Sequence, residues 1–195
     1  MMNTQQIKRS GTLYAIGGAI WFLVIVGSEL LGIPWSEPQT AVFTTAEIIF
    51  IIVQTLLLFG IFGVWQSGGV GHGTFGKLAF GLALFGHFVF VLVEIHSLIL
   101  GELSPLFPIA PLSSAVGILL TGIAVLRAKQ WQGWTRWMPF LTGIYPFLFM
   151  FPFLFIYGQP SDYAIGLWGL VRLGLGLAIR AQVETPILPA SEVAR

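Results

Sequence analysis

The stretch Lys77–Glu102, KLAFGLALFGHFVFVLVEIHSLILGE, decides the fold. Its apolar run exceeds the roughly 20 residues that an α-helix needs to cross a bilayer. Three ionisable side chains lie inside it: His87, Glu94 and His96. Such groups are expensive within a membrane, so each is a candidate for function. His87 and Glu94 stand seven apart, about two helical turns, and share one face, whereas His96 points away from them.

The rest of the chain repeats the pattern. Of 195 residues 56% are hydrophobic and 9% charged. Soluble domains run about 45–50% apolar and about 25% charged. This composition, with 17 Phe, 7 Trp and 24 Gly, predicts an all-α polytopic membrane protein. The formal net charge of +1 offers nothing to nucleic acid, and the absence of cysteine excludes disulfides, thiol catalysis and Cys metal sites. No motif predicts a cofactor or a metal. After the polar MMNTQQIKRSG, the apolar run Thr12–Ile33 is longer than the core of a signal peptide, so it reads as a retained first helix.

Six transmembrane helices are predicted: Thr12–Gly32, Val42–Trp65, the Lys77–Glu102 stretch, Leu112–Leu126, Met138–Tyr157 and Tyr163–Arg180. Residues 1–180 thus form one six-helix domain, and the polar tail 181–195, with Pro186 and Pro189, is expected to be loose. ELSPLFPIAP (Glu102–Pro111), with three prolines, is predicted to be irregular, and Pro146 and Pro152 to kink the fifth helix. The cations Lys8, Arg9, Lys77, Arg127, Lys129, Arg136, Arg180 and Arg195 all fall on the side of the termini. The other loops carry Glu37, Glu102 and Asp162. By the positive-inside rule both termini are expected in the cytoplasm, with the protein in a cell (inner) membrane. Trp35, Trp65, Trp131, Trp134 and Trp137 near helix ends read as an aromatic belt. The acids of the first three helices have no counterparts in the last three, so no inverted repeat is expected.

Topology places the buried charges by depth. Glu29 lies near the outer end of the first helix, Glu47 a turn and a half inside the second, Glu94 two turns inside the third with His96 slightly above, and Arg172 near the middle of the sixth. These converge on the outer half of the membrane, with Gln54 seven after Glu47 and His87 seven before Glu94 beneath them. Arg172 is expected to pair with Glu94. The remaining acids can be protonated, face a water-filled vestibule or bind a cation. Each residue also has a structural reading. Glu29 and Glu47 can reach the outer surface, Glu94–Arg172 can be a packing pair, and the histidines can hydrogen-bond between helices. Gly76, Gly81 and Gly86 are expected to allow close helix contact.

Three functions compete. The first is a small carrier or solute-binding subunit with a polar site open to the outside. An acidic vestibule would favour cations or amines, and a chain this short would be expected to form a homo-oligomer or join a partner. Size and helix count are similar to those of the substrate-binding membrane subunits of energy-coupling-factor transporters, with no motif in common. The second is an accessory or assembly subunit of a larger membrane complex. The third is an intramembrane lipid-modifying enzyme, which has only a Glu–His pair in its favour.

Overall fold

The computed structural model describes residues 4–158 and 161–183, and their regular structure is entirely helical. The tail beyond residue 183, with Pro186 and Pro189, lies outside the described residues. Six helical segments are long and apolar enough to cross a membrane. They comprise α1 (Thr4–Leu31), α2 with α3 (Ala41–Gly60 and Phe62–Gln66), α4 (Thr74–Leu100), α5 (Ile109–Ala128), a fifth span containing α6 (Met138–Tyr145) and α7 (Phe151–Tyr157), and α8 (Asp162–Ala181).

Each span packs on its chain neighbours, α1 on α2, α2 on α4, α4 on α5, α5 on α6 and α6 on α8. The most extensive packing, α1 on α8, closes the series into a ring. Glycines set that closure. A Cβ on Gly18 would strike the backbone of Gly169, Arg172 and Leu173, and one on Gly176 would strike Ala15. Gly18 and Gly11, like Gly176 and Gly169, are seven apart, so each helix presents a smooth stripe to the other. Of the three glycines predicted to serve contact in α4, Gly86 abuts Ser114 of α5 and Gly76 the Val70 carbonyl, but Gly81 meets nothing.

Several boundaries differ from expectation. Helix α1 starts eight residues earlier than its apolar run, because Ile7 is buried and the Ser10 hydroxyl donates to Gln66 at 3.0 Å. Helix α5 begins at Ile109 and takes Pro111 into its first turn, where no intrahelical amide is needed. Trp131 and Trp35 are buried, in contrast to the exposed Trp65, Trp134 and Trp137. Trp131 donates to Ser67 at 3.0 Å and closes the α3–α4 turn beneath it.

The fifth span breaks where the prolines predict. Between α6 and α7 lies a π-helical turn, Pro146–Met150, closed by the Phe151 amide donating to the Pro146 carbonyl. Pro146 has no N–H for the carbonyl of Thr142, and the Trp168 indole of α8 donates to that oxygen at 2.9 Å instead. Beyond the turn, α7 buries none of its residues.

Candidate functional site

Arg172 lies inside the ring, fully buried on α8. Its guanidinium carbon stands 3.5 Å from the ring centre of Trp168, 4.8 Å from that of Trp21 and 5.7 Å from that of Phe90. Trp168 is one turn before Arg172 on the same helix, the spacing at which helical side chains meet. Both tryptophans are pinned, Trp168 through the Thr142 carbonyl and Trp21 through the Ile165 carbonyl at 2.8 Å. Cation–π attraction in such a desolvated setting is worth about 2 kcal/mol or more. No guanidinium nitrogen has a hydrogen-bond partner. Glu94 is within electrostatic reach of Arg172, the partner expected for it, without a hydrogen bond between them. The aromatic rings hold the cation instead.

Glu47 and Glu94 are each 1% exposed. Their side chains face one another across α2 and α4, with Gln54 beside Glu94. Glu94 lies within side-chain hydrogen-bonding reach of both Glu47 and Gln54, though outside strict hydrogen-bond geometry. Oε2 of Glu47, both oxygens of Glu94 and both amide atoms of Gln54 are buried without a partner. The two carboxyls line a cavity of about 290 Å³ together with Trp21, Trp35, Phe50, Phe107 and Asp162. Glu29 is half-buried and stands against Asp162, outside this lining. The cavity therefore lies at the end of the bundle opposite the termini, where α1 finishes and α8 starts.

His87 is fully buried on α4, with Nδ1 2.8 Å from the Ala83 carbonyl. That contact fixes Nδ1 as the donor and leaves Nε2 to accept from the Tyr14 hydroxyl at 3.4 Å. His87 thus joins α4 to α1 in the interior. His96 belongs elsewhere, with Nδ1 2.8 Å from Ser104 Oγ in the α4–α5 connection. Of the seven residues singled out from sequence, Glu47, Glu94, Gln54, His87 and Arg172 face the interior, while Glu29 sits outside the cavity and His96 supports a loop.

Sequence reasoning missed Tyr14, the cage of Trp21, Phe90 and Trp168, and the vestibule residues Trp35, Phe50, Phe107 and Asp162. Two signals were available. Tyr14 and Trp21 are seven apart on one face of α1, and Trp168 precedes Arg172 by four. Nothing local marks Phe50 or Phe107 among so many phenylalanines.

Two adjoining carboxyls set among aromatic faces can attract positive charge. Buried polar atoms are normally hydrogen-bonded, and the two carboxyls and Gln54 stand close enough to serve one another. Among the described residues no group of three His, Asp or Glu side chains is arranged to hold a metal ion. Hard cations such as calcium take six to eight oxygen ligands, and diffuse organic cations take aromatic faces. Comparisons of the chain with protein-family models, curated proteins and solved structures find no match.

Proposed function

We propose that this protein is a small membrane carrier, or the solute-binding subunit of one, that takes an organic cation into the vestibule of Glu47 and Glu94. The observation that carries this reading is the pair of buried, adjoining carboxyls lining a cavity walled by Trp21, Trp35, Phe50 and Phe107. The carboxyls supply charge and the rings supply cation–π faces, the pairing used for quaternary ammonium groups. The other buried charge, Arg172, acts on Glu94 as a fixed cation and is not offered as a ligand group. Arg172 is absent from the cavity lining, and three aromatic rings already surround it. It biases the interior without offering its nitrogens to an anionic ligand.

Two features favour transport over static binding. The site lies among membrane-spanning helices, and the fifth span carries a π-helical turn and a half-helix, α7, with no buried residue. Discontinuous helices beside a buried site recur in the binding sites of transporters. The distribution of Lys and Arg favours a vestibule facing the outside of the cell. A complete carrier of this size would be a homo-oligomer or work with a partner. The accessory-subunit and lipid-modifying-enzyme readings gain no observation of their own from the site.

The test is calorimetric titration of the purified protein, in dodecyl maltoside micelles, with tetramethylammonium. Saturable binding is expected, weakened at least roughly tenfold by Glu47→Gln and by Glu94→Gln. Glu37→Gln, an exposed change in the α1–α2 connection, serves as the control and leaves it unaltered. No saturable binding, or equal binding in folded Glu94→Gln protein, would refute the proposal.

A further inference from the structure

A second cavity, of about 540 Å³, opens beside the vestibule and shares Trp21, Phe107 and Ile165 with it. It lies between the start of α5, at Pro111 and Leu112, and the π-turn and α7, at Phe147, Met150, Leu154 and Phe155. Its origin is the break in the fifth span. Helix α6 packs on α5, but after the π-turn α7 departs from the bundle and leaves a gap between the two spans.

The chemistry of the gap is uniform. No side chain lining it bears a charge or a hydroxyl. The two groups that could donate are the indole N–H bonds of Trp21 and Trp168, and both are already given to backbone carbonyls. The slot offers only hydrocarbon and ring faces, in a volume within the roughly 300–1,000 Å³ of ligand pockets. Across the shared wall of Trp21 and Phe107 stand the carboxyls of Glu47 and Glu94. Trp21, Phe107 and Ile165 form a wall common to both cavities, with an acidic and aromatic space on one side and a purely apolar one on the other.

We infer that the ligand is an amphiphilic cation, an alkylammonium whose charged head enters the vestibule and whose hydrocarbon chain lies in the slot between α5 and α7. This rests on the reading of the vestibule as a cation site. The sideways gap lets such a molecule enter from the membrane, chain and head together, without crossing the loops. Charge complementarity sets the occupant: a neutral or anionic amphiphile could fill the slot but would leave the carboxyls unserved. A chain already dissolved in lipid gains little hydrophobic free energy on moving to an apolar slot. A short, water-soluble chain gains the full transfer term, about 0.8 kcal/mol per methylene, or roughly fourfold in affinity.

The experiment compares tetramethylammonium, butyltrimethylammonium and hexyltrimethylammonium by calorimetry on the protein in dodecyl maltoside, with the heat of protein-free micelles subtracted. Affinity is expected to rise with chain length, by more than roughly tenfold from butyl to hexyl. Leu112→Trp should place an indole in the slot and remove that dependence, reducing hexyltrimethylammonium to the affinity of tetramethylammonium. Leu154→Trp does the same from the opposite wall, should the first variant fail to fold. Equal affinity for all three compounds, still sensitive to Glu94→Gln, would overturn the slot while leaving the vestibule standing. A chain-length gain that survives both tryptophan variants would also overturn it. Absence of binding by any of the three would remove the cation site and the slot together.

Discussion

Replacing Gly169 by alanine tests the contact on which the whole site depends. Gly169 sits where α8 crosses α1. A Cβ there would lie 2.6 Å from the Gly18 carbonyl oxygen and the Phe22 amide nitrogen, and 2.9 Å from Trp21 Cδ1. The two backbone contacts fall at least about 0.4 Å short of the 3.0 Å that real Cβ atoms keep. A side chain could swing aside, but these are backbone atoms of α1, so the helix itself must move. Overpacking of this kind is worth about 1–3 kcal/mol of destabilisation. Gly27→Ala, in α1, meets nothing within 4 Å and should gain about 0.5–1 kcal/mol from reduced backbone freedom. The two variants add the same methyl group, yet should differ in Tm by roughly 5–10 °C in a chain of this length. The assay is thermal unfolding in detergent followed by tryptophan fluorescence. Displacing α1 also moves Trp21, which covers Arg172 and lines both cavities. Gly169→Ala should therefore weaken tetramethylammonium binding as well, and Gly27→Ala should not. If the two variants melt together, the close α1–α8 approach is not what holds the site.

Two further outcomes follow from the same geometry. Trp168→Phe withdraws the indole donor from the Thr142 carbonyl and should destabilise the protein by about 1–3 kcal/mol. Its effect should shrink by about 1 kcal/mol or more in a Pro146→Ala background, where a helical amide returns to that oxygen, and a double-mutant cycle in thermal stability measures the difference. For topology, cysteines at the exposed positions Glu37 and Leu103 should react with an impermeant maleimide added outside intact cells, and those at His72 and Gln132 should not. The opposite pattern would invert the vestibule. Leu103 serves better than the neighbouring Ser104, which is buried and bonded to His96, Ser97 and Leu106.

The number of spans was legible from local composition alone, because a bilayer demands about 20 apolar residues per helix whatever the helix packs against. The break at Pro146 was legible for a similar reason, since a missing amide is a property of one residue. The depth of Glu47, Glu94 and Arg172 followed from counting along each helix. Their partners did not. A helical period says which residues share a face, but not which face of another helix it meets, and the expected Glu94–Arg172 pair comes within electrostatic reach without a hydrogen bond, while an aromatic cage drawn from three spans surrounds the cation. That choice was made by the closure of α8 on α1 through Gly18 and Gly169, which brings Trp21 across Arg172. The partner of His96 was hidden for the same reason, because a residue eight positions on, Ser104, folds back to meet it. The apolar slot was least legible of all. It exists only because α7 leaves the bundle after the π-turn, and a gap between two helices is written in neither of them.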